Sequence, residues 1–295
     1  MILTDLGVAY TRLELPALTQ YRPCNPSVVS TGGFYFATVR GCNYDLKRGY
    51  HFTIGSSPSR TPDSQNYFVK VNKRFEIESY WFLEDRHLRS DVRCLDGIED
   101  LRLFEYRGGL YVLGSALNYL PKPKNTMVLC RLDDGVLRDP VFIKSPLGIP
   151  VEKNWMPLVR GNDLYFVYYV NPFQMYRFDG AGLVKVPFRV NEQDWPPNLS
   201  GSSCVMPYGD GYLAVVHRKT QDHRTREYFY RHHLVEFDAD MRPVRLGRRF
   251  SFENDHIEFC AGLAFDGDDV VFSYGLLDQK AVMLRLSKDD LRRLF

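Results

Sequence analysis

Short apolar and aromatic runs, each closed off by tight-turn residues, recur along the whole chain: "GFYFATVRG", "LYVLGSAL", "TMVLCRLDD", "LYFVYYV", "QMYRFD", "YLAVVH", "HLVEFDAD", "LAFDGDDVVFSYG" and "AVMLRLS". They are rich in Val, Tyr and Phe, and Gly-Gly, Asp-Gly or Asn-Asp pairs stand between them, which is the chemistry of strands joined by hairpins. Helical periodicity is scarce. Only "SKDDLRRLF" at the C-terminus reads as a capped helix. The pattern predicts an all-β protein.

The turns also repeat at a fixed interval. "RGGLYVLGS", "RGNDLYFVYY", "GDGYLAVVH" and "DGDDVVFSYG" are one device, a tight turn followed by an aromatic or aliphatic strand. Their turn residues Gly109, Asp163, Gly211 and Asp268 are separated by roughly 50 residues, the length of a four-stranded propeller blade. An earlier copy, "TGGFYFATVR", lies farther upstream, with "KRGYHFTIGSSPSRTPDSQ" as an insertion. Five copies predict a five-bladed β-propeller with a short C-terminal helix. A β-sandwich accounts for the short strands but not for the repeat. No proline-rich or low-complexity stretch divides residues 1–295, which are read as a single catalytic propeller domain.

Composition narrows the function classes. The 38 Lys and Arg nearly balance the 36 Asp and Glu, for a formal charge of +2. That argues against a nucleic-acid protein driven by phosphate neutralisation, while leaving room for a local basic pocket. No apolar run approaches the roughly 18 residues of a membrane span, and "MILTDLGVAYTRLELP" lacks the basic-then-apolar pattern of a signal peptide. A soluble, cytoplasmic protein is expected. The six cysteines, Cys24, Cys42, Cys94, Cys130, Cys204 and Cys260, form no C-x-x-C pair. Reduced, mostly buried thiols are expected rather than a zinc knuckle or a disulfide scaffold.

In a propeller the innermost strand of each blade lines the channel, and its ends carry function. Polar residues at corresponding points of the repeats are therefore the candidates. The first repeat offers Asn25 in "CNPSVV", then Arg40 and Asn43 in "VRGCNY"; the second offers Glu99, Asp100 and Arg102 in "GIEDLRL". The third offers Lys153 and Asn154 in "EKNWMPL", and the fourth His217 at the end of "YLAVVH" after "LSGSSCVMP". The fifth offers His232 in "YRHHLVEFD", Glu258 in "HIEFCAGLA" and Asp278 in "YGLLDQ".

Each has a structural reading when taken singly. Asp100 and Arg102 stand two apart on a strand, on one face, as an ion pair would. Lys153 reads as solvated and His217 as a satisfied histidine, "RHH" reads as exposed, and Glu258 and Asp278 read as turn caps. Together they predict a funnel with carboxylates for acid catalysis and cations for an anion. Tyr44, Trp155 and Tyr230 offer ring faces for sugars, and Trp155 reads equally well as packing.

These segments, "CNPSVV … VRGCNY", "GIEDLRL", "EKNWMPL", "GSSCVMPYGDGYLAVVH" and "IEFCAGLAFDGDDVVFSYGLLDQ", occur in the order seen in family 130 glycoside phosphorylases and hydrolases. The chain resembles still more the related bacterial glycosyltransferase-like propellers and the family 108 mannosyltransferase/phosphorylases, from about Asn25 to the C-terminus. The resemblance implies an inverting enzyme acting on β-linked glycosides, most familiarly β-mannosides. It implies Asp100 as general acid, often working through a sugar hydroxyl. The sequence has no metal-ligand cluster of specific spacing, so no metal or cofactor is expected. Phosphate or a nucleotide sugar is the implied co-substrate, with a carbohydrate as the other partner. Arg102, Lys153 and His217 are the implied anion contacts, and Asn25, Arg40 and Asp278 the implied sugar contacts. Their places in the repeats add His232 as an expected anion contact and Asn43, Glu99, Asn154 and Glu258 as expected sugar contacts.

The chain also departs from the phosphorylase pattern. "YYVNPFQ" has Asn171 and Pro172 where a His-Arg-like pair is usual, Leu101 follows the acid, and "SGSS" replaces a more glycine-rich run. "YRHHLVEFD" looks more like the glycosyltransferase-like branch. A sugar-nucleotide donor, its diphosphate in the basic site, is compatible with these differences. Glycosyl transfer or reversible phosphorolysis is the leading expectation. The alternatives are an inverting hydrolase, with Glu258 or Asp278 as base, and a non-catalytic sugar-binding propeller.

Overall fold

Each turn-and-strand copy becomes one antiparallel blade in the computed structural model, which describes residues 1–15, 21–47, 50–53, 63–88, 93–118, 124–188, 194–254 and 256–295. After β1 (Tyr10–Arg12), the first blade begins with β2 (Arg22–Thr31) and β3 (Phe34–Cys42). An inserted hairpin, β4 (Tyr44–Lys47) and β5 (Tyr50–Thr53), precedes its outer strands β6 (Ser64–Asn72) and β7 (Ile77–Phe82). Part of the insertion expected from the sequence, residues 48–49 and 54–62, lies outside the described residues.

The second blade is β8 (Arg93–Tyr106), β9 (Gly109–Asn118), β10 (Lys124–Asp133) and β11 (Val136–Ile143). The third is β12 (Met156–Arg160), β13 (Asp163–Val170), β14 (Phe173–Phe178) and β15 (Leu183–Lys185). In the fourth, two short pieces, β16 (Leu199–Gly201) and β17 (Met206–Tyr208), share the innermost position beside β18 (Gly211–Gln221), β19 (Tyr228–Phe237) and β20 (Pro243–Leu246). The fifth is β21 (Glu258–Asp266), β22 (Asp269–Leu276) and β23 (Lys280–Ser287), and its outermost strand is β1. Helix α1 (Lys288–Arg292) ends the chain, with the Ser287 hydroxyl accepting the Asp290 N–H as its N-cap.

The repeated turns all join the first and second strands of a blade. In the second blade Tyr106 pairs with Gly109 across Arg107 and Gly108, both at positive φ (49° and 73°), as a type I′ hairpin requires. In the last three blades the loop opens on a glycine at φ 56–61°, Gly161, Gly209 or Gly267. That matches the II′ pattern, where glycine takes the first central position.

The core consists of five layers, one between each pair of neighbouring blades. Val29, Ile98 and Leu103 pack between the first and second blades. Leu113, Trp155 and Phe166 pack between the second and third, and Met156, Val167, Ala214 and Val235 between the third and fourth. Leu213, Leu234, Phe250 and Phe272 fill the fourth layer, and Val28, Tyr35, Val271 and Met283 close the ring between the fifth and first. Inner strands are thus buried on both faces, which is why they read as nearly unbroken apolar runs. Outer strands such as β15 and β20 are largely exposed.

Ring closure joins the two ends of the chain. Tyr10, Thr11 and Arg12 pair with Leu284, Met283 and Val282, which covers the edge of β23 that would otherwise offer unpaired backbone groups. Leu3 and Leu13, on either side of β1, are 0% and 1% exposed. Cys24, Cys42, Cys130, Cys204 and Cys260 are buried and form no disulfide. Among the described residues no helix is long and apolar enough to cross a membrane.

Candidate active site

Antiparallel pairing brings the start of each innermost strand beside the end of the second, so polar residues from both meet at one mouth of the channel, opposite the tight hairpins. A cavity of about 290 Å³ opens there, and all five blades line it. Asn25, Arg40, Glu99, Asp100, Lys153, Asn154, His217 and Asp278 are on its wall, with Tyr44 and Tyr230. These ten were all singled out in the sequence.

The backbone explains how they reach the cavity. Asn25, Asp100, Asn154 and Asp278 have φ of 44°, 52°, 63° and 54°, a left-handed region that Asn and Asp enter more readily than other residues with side chains. At Asn25 and Asp100 the strand register also slips, between Cys24 and Ser27 and between Glu99 and Arg102. Such a bulge re-aims a side chain that would otherwise face a neighbouring blade. A methyl group on Gly275 would lie 1.9 Å from Asn25 Oδ1, so the absence of a side chain there lets Asn25 seat.

Arg40 is the organising cation. It is 4% exposed, and its fork reaches Asp100 Oδ1 (3.0 Å), Glu99 Oε1 (3.2 Å), Tyr44 Oη (2.8 Å) and Ser64 Oγ (2.7 Å). Lys153 donates to Glu99 Oε2 at 2.7 Å. The Asn25 amide nitrogen donates to Asp100 Oδ1 at 2.9 Å and to Asp278 Oδ1 at 3.2 Å. Burial by itself would raise both aspartates, and their neighbours separate them. Arg40 and Arg102 outweigh burial at Asp100 and hold its carboxyl below the usual range. Burial prevails at Asp278, assisted by the negative charge of Asp100, and pushes its carboxyl up. Glu99 is also held low, by Arg40 and Lys153 against burial.

Four expected site residues lie elsewhere. Arg102, 1% exposed, is not a free anion contact: its guanidinium donates to the backbone oxygens of Asp100 (2.7 Å) and Ser202 (3.0 Å) and to Asn154 Oδ1 (3.0 Å). It ties three blades together behind the cavity. The carboxylate of Asp100 pairs with Arg40, so the same-face pairing with Arg102 expected from strand alternation is replaced at the bulge. His232 is fully buried among Phe250, Phe252 and His217, with neither ring nitrogen hydrogen-bonded, and burial holds it neutral. It is neither exposed nor placed for an anion.

Glu258 is also fully buried, accepting the backbone N–H groups of Phe252 (2.6 Å) and Glu253 (2.9 Å), which matches its structural reading. Asn43 accepts the N–H of Asp63 at 2.6 Å and pins the base of the inserted segment. Trp155 is no sugar platform: it is 1% exposed and donates to Glu152 Oε2 at 3.0 Å. His217 is on the wall, but burial pushes its pKa down to about 3, so it brings a neutral ring, bonded through Nδ1 to Ser202 Oγ at 2.7 Å and stacked on Tyr230.

The sequence reading missed Lys219, Tyr228, Ile257 and Phe259. Lys219 and Tyr228 had a signal. Lys219 is two residues after His217 on β18 and so shares its face, and the register sets it opposite Tyr230. Its ammonium lies 3.8 Å from the Tyr228 ring centre, and no carboxylate pairs with it among the described residues. Burial and the charge of Lys153 lower its pKa.

Lys153 and Asn154 also border a second cavity of about 380 Å³ between the third and fourth blades. Tyr169, Asn171, Gln174, Asn198 and Gly201 line it. Among the described residues, no group of three or more His, Cys, Asp or Glu is arranged to hold a metal ion.

Five blades around a polar funnel define the structural class. The fold is that of the family 130 mannoside phosphorylases and glycoside hydrolases. It superposes on a β-1,2-mannobiose phosphorylase from Listeria innocua with a TM-score of 0.63, at 13% identity over 97% of this chain and 99% of that one. A mannose phosphorylase from Leishmania mexicana, in complex with a phosphate ion, gives 0.61 at 11% identity, over 99% and 92%. A glycosyl hydrolase from Bacteroides ovatus gives 0.64 at 12%, over 96% and 94%. By sequence, no family model and no curated protein matches, so the likeness lies in the fold.

Proposed function

We propose that the chain is a carbohydrate-active enzyme that transfers a glycosyl unit with inversion between a phosphate-bearing donor and a sugar acceptor, acting on β-mannosides. The observation that carries this reading is a funnel cation left over from the ion pairs there. Arg40, Lys153 and Lys219 line the cavity with Glu99, Asp100 and Asp278, and Arg40 and Lys153 are bonded to Glu99 or Asp100. Lys219 is the cation there with no carboxylate partner among the described residues. Such a site favours a phosphate group. The names of the solved structures point to mannosides.

Asp100 is the proton-transfer residue of this reading. Held as a carboxylate, it suits the synthetic direction, where a base is needed. The acceptor oxygen attacks the anomeric carbon, and the phosphate leaves with the electrons of the broken C–O bond. The acceptor proton passes to Asp100, directly or through a sugar hydroxyl. An α-linked phosphate then yields a β-glycoside, and protonated Asp100 serves the reverse phosphorolysis.

A hydrolase would need a second carboxylate as base across the anomeric centre. Glu258 is occupied by backbone N–H groups. The Oδ1 atoms of Asp100 and Asp278 share one amide nitrogen at 2.9 and 3.2 Å, closer together than the ~6.5–9.5 Å that admits a water between an inverting pair.

The second cavity, reached past Lys153 and Asn154, takes the acceptor in this reading, with Tyr169 as a ring face among amide side chains. Tyr169→Ala is expected to raise the acceptor KM about tenfold with the donor KM unchanged, a loss of about 1.4 kcal/mol, read from initial rates at varied acceptor.

The decisive assay incubates the protein with sugar 1-phosphates and sugar nucleotides against an acceptor panel and follows phosphate or nucleotide release. No product from any donor, together with glycoside cleavage indifferent to phosphate, overturns the reading. In the same assay Lys219→Ala is expected to raise the donor KM about ten- to a hundredfold, as for loss of a charge-assisted contact. Its KM should also depend less on ionic strength.

A further inference from the structure

The two aspartates held by Asn25 are not equivalent. Asp100 receives Arg40 Nη1 at 3.0 Å, while the only hydrogen bond to the Asp278 carboxyl among the described residues comes from the neutral Asn25 amide, at 3.2 Å. Every donor of Arg40 shown to bond is directed elsewhere, to Asp100, Glu99, Tyr44 and Ser64. Asp278 sits in a tight turn after β22, at φ 54°, and faces the cavity. The ionisable groups around it are Cys24 from β2, Arg40 from β3, Tyr44 from β4, Glu99 and Asp100 from β8, and Tyr230 from β19. Lys153, His217 and Lys219 line the same cavity from the third and fourth blades. Arg40 is bonded to Asp100 and Glu99 and Lys153 to Glu99, so no cation is hydrogen-bonded to Asp278 among the described residues.

We propose that Asp278 is the protonated carboxylic acid of the funnel, a neutral hydrogen-bond donor to the bound sugar, while Asp100 works beside it as a carboxylate. This rests on the glycosyl-transfer reading for its sugar ligand, but not for the state of the resting protein. The chemistry has a clear logic. An ionised Asp278 would set a third carboxylate against an incoming phosphate and could only accept hydrogen bonds. A protonated one donates to a sugar oxygen and leaves the charge to Asp100 and the cations. Burial and the nearby Asp100 charge act in the same direction.

The direct test needs no substrate. Carboxyl 13C spectra of aspartate-labelled protein, titrated with pH, are expected to show one aspartate turning over clearly above the ordinary value of about 3.9. That resonance should be missing in Asp278→Asn. Should this variant fold poorly, Asn25→Ala in the otherwise intact chain serves instead: losing the amide that favours the ionised form should move the same resonance to still higher pH. No aspartate above the ordinary range, a high-titrating resonance that survives Asp278→Asn, or one unmoved by Asn25→Ala overturns the proposal.

Turnover adds a separate readout. Asp278→Asn, neutral and still a donor, should show a smaller rise in the sugar KM than Asp278→Ala and should lose the fall in activity expected of wild type as Asp278 ionises with rising pH. Asp278→Ala should raise the sugar KM more than tenfold. Equal losses in the two variants would overturn the donor role. Absence of turnover from every donor would count against the transfer reading and leave the spectroscopic result standing.

Discussion

Asp100→Asn is expected to lower kcat by about 10²–10⁴, the usual contribution of a positioned proton-transfer group, with the fold retained. The amide keeps the shape of the carboxyl, and its oxygen still accepts from Asn25 and Arg40, which donate to Asp100 Oδ1 at 2.9 and 3.0 Å. It cannot accept the acceptor proton. Substrate binding, read by calorimetry with a β-mannoside, should change far less than kcat. Full activity in this variant would remove Asp100 from the mechanism whichever reaction class held.

The pH dependence follows from the depressed carboxyl of Asp100. In the synthetic direction the acid limb of kcat/KM should lie below the ordinary aspartate value of about 3.9, because activity falls only when the carboxylate gains a proton. Stability has the same sign. A carboxyl lower in the folded than in the unfolded state contributes stability present above the unfolded pKa and lost as pH falls through the folded one. Asp100→Asn should therefore flatten the acid side of the stability profile, measured by denaturant unfolding.

Deleting residues 1–13 is expected to have the largest effect on stability. It removes β1 from the fifth blade, strips two leucines that are 0% and 1% exposed, and leaves β23 as a raw edge. Losing a buried leucine side chain costs about 2–5 kcal/mol, against a total stability of about 5–15 kcal/mol. The truncated chain should unfold at a much lower temperature and aggregate through the open edge, seen by thermal scanning with light scattering. An unchanged, monomeric melting profile would show that closure by β1 contributes little.

The signals legible in the sequence were local. The hairpin at Arg107–Gly108 and the glycine-led turns of later blades depend on adjacent residues, so their chemistry and spacing could be read directly. The candidate residues at the blade ends were legible in the same way. Asn and Asp at Asn25, Asp100, Asn154 and Asp278 are types that tolerate the left-handed backbone found there. Lys219 was within reach by strand alternation from His217, and the reading stopped two residues short.

What the chain by itself determined, then, was the number of blades, the positions of their turns and a pool of polar residues at the strand ends, because each follows from neighbours in sequence. Tertiary structure alone decided which of that pool share a cavity. Arg40 meets Asp100 across 60 positions once the first two blades pack, and Asn25 meets Asp278 across 253 once the ring closes. The same packing took Arg102, His232 and Glu258 inward. A buried charge or imidazole and one facing a funnel look alike in sequence; what separates them is the presence of partners from other blades and the exclusion of water, and both arise from long-range packing.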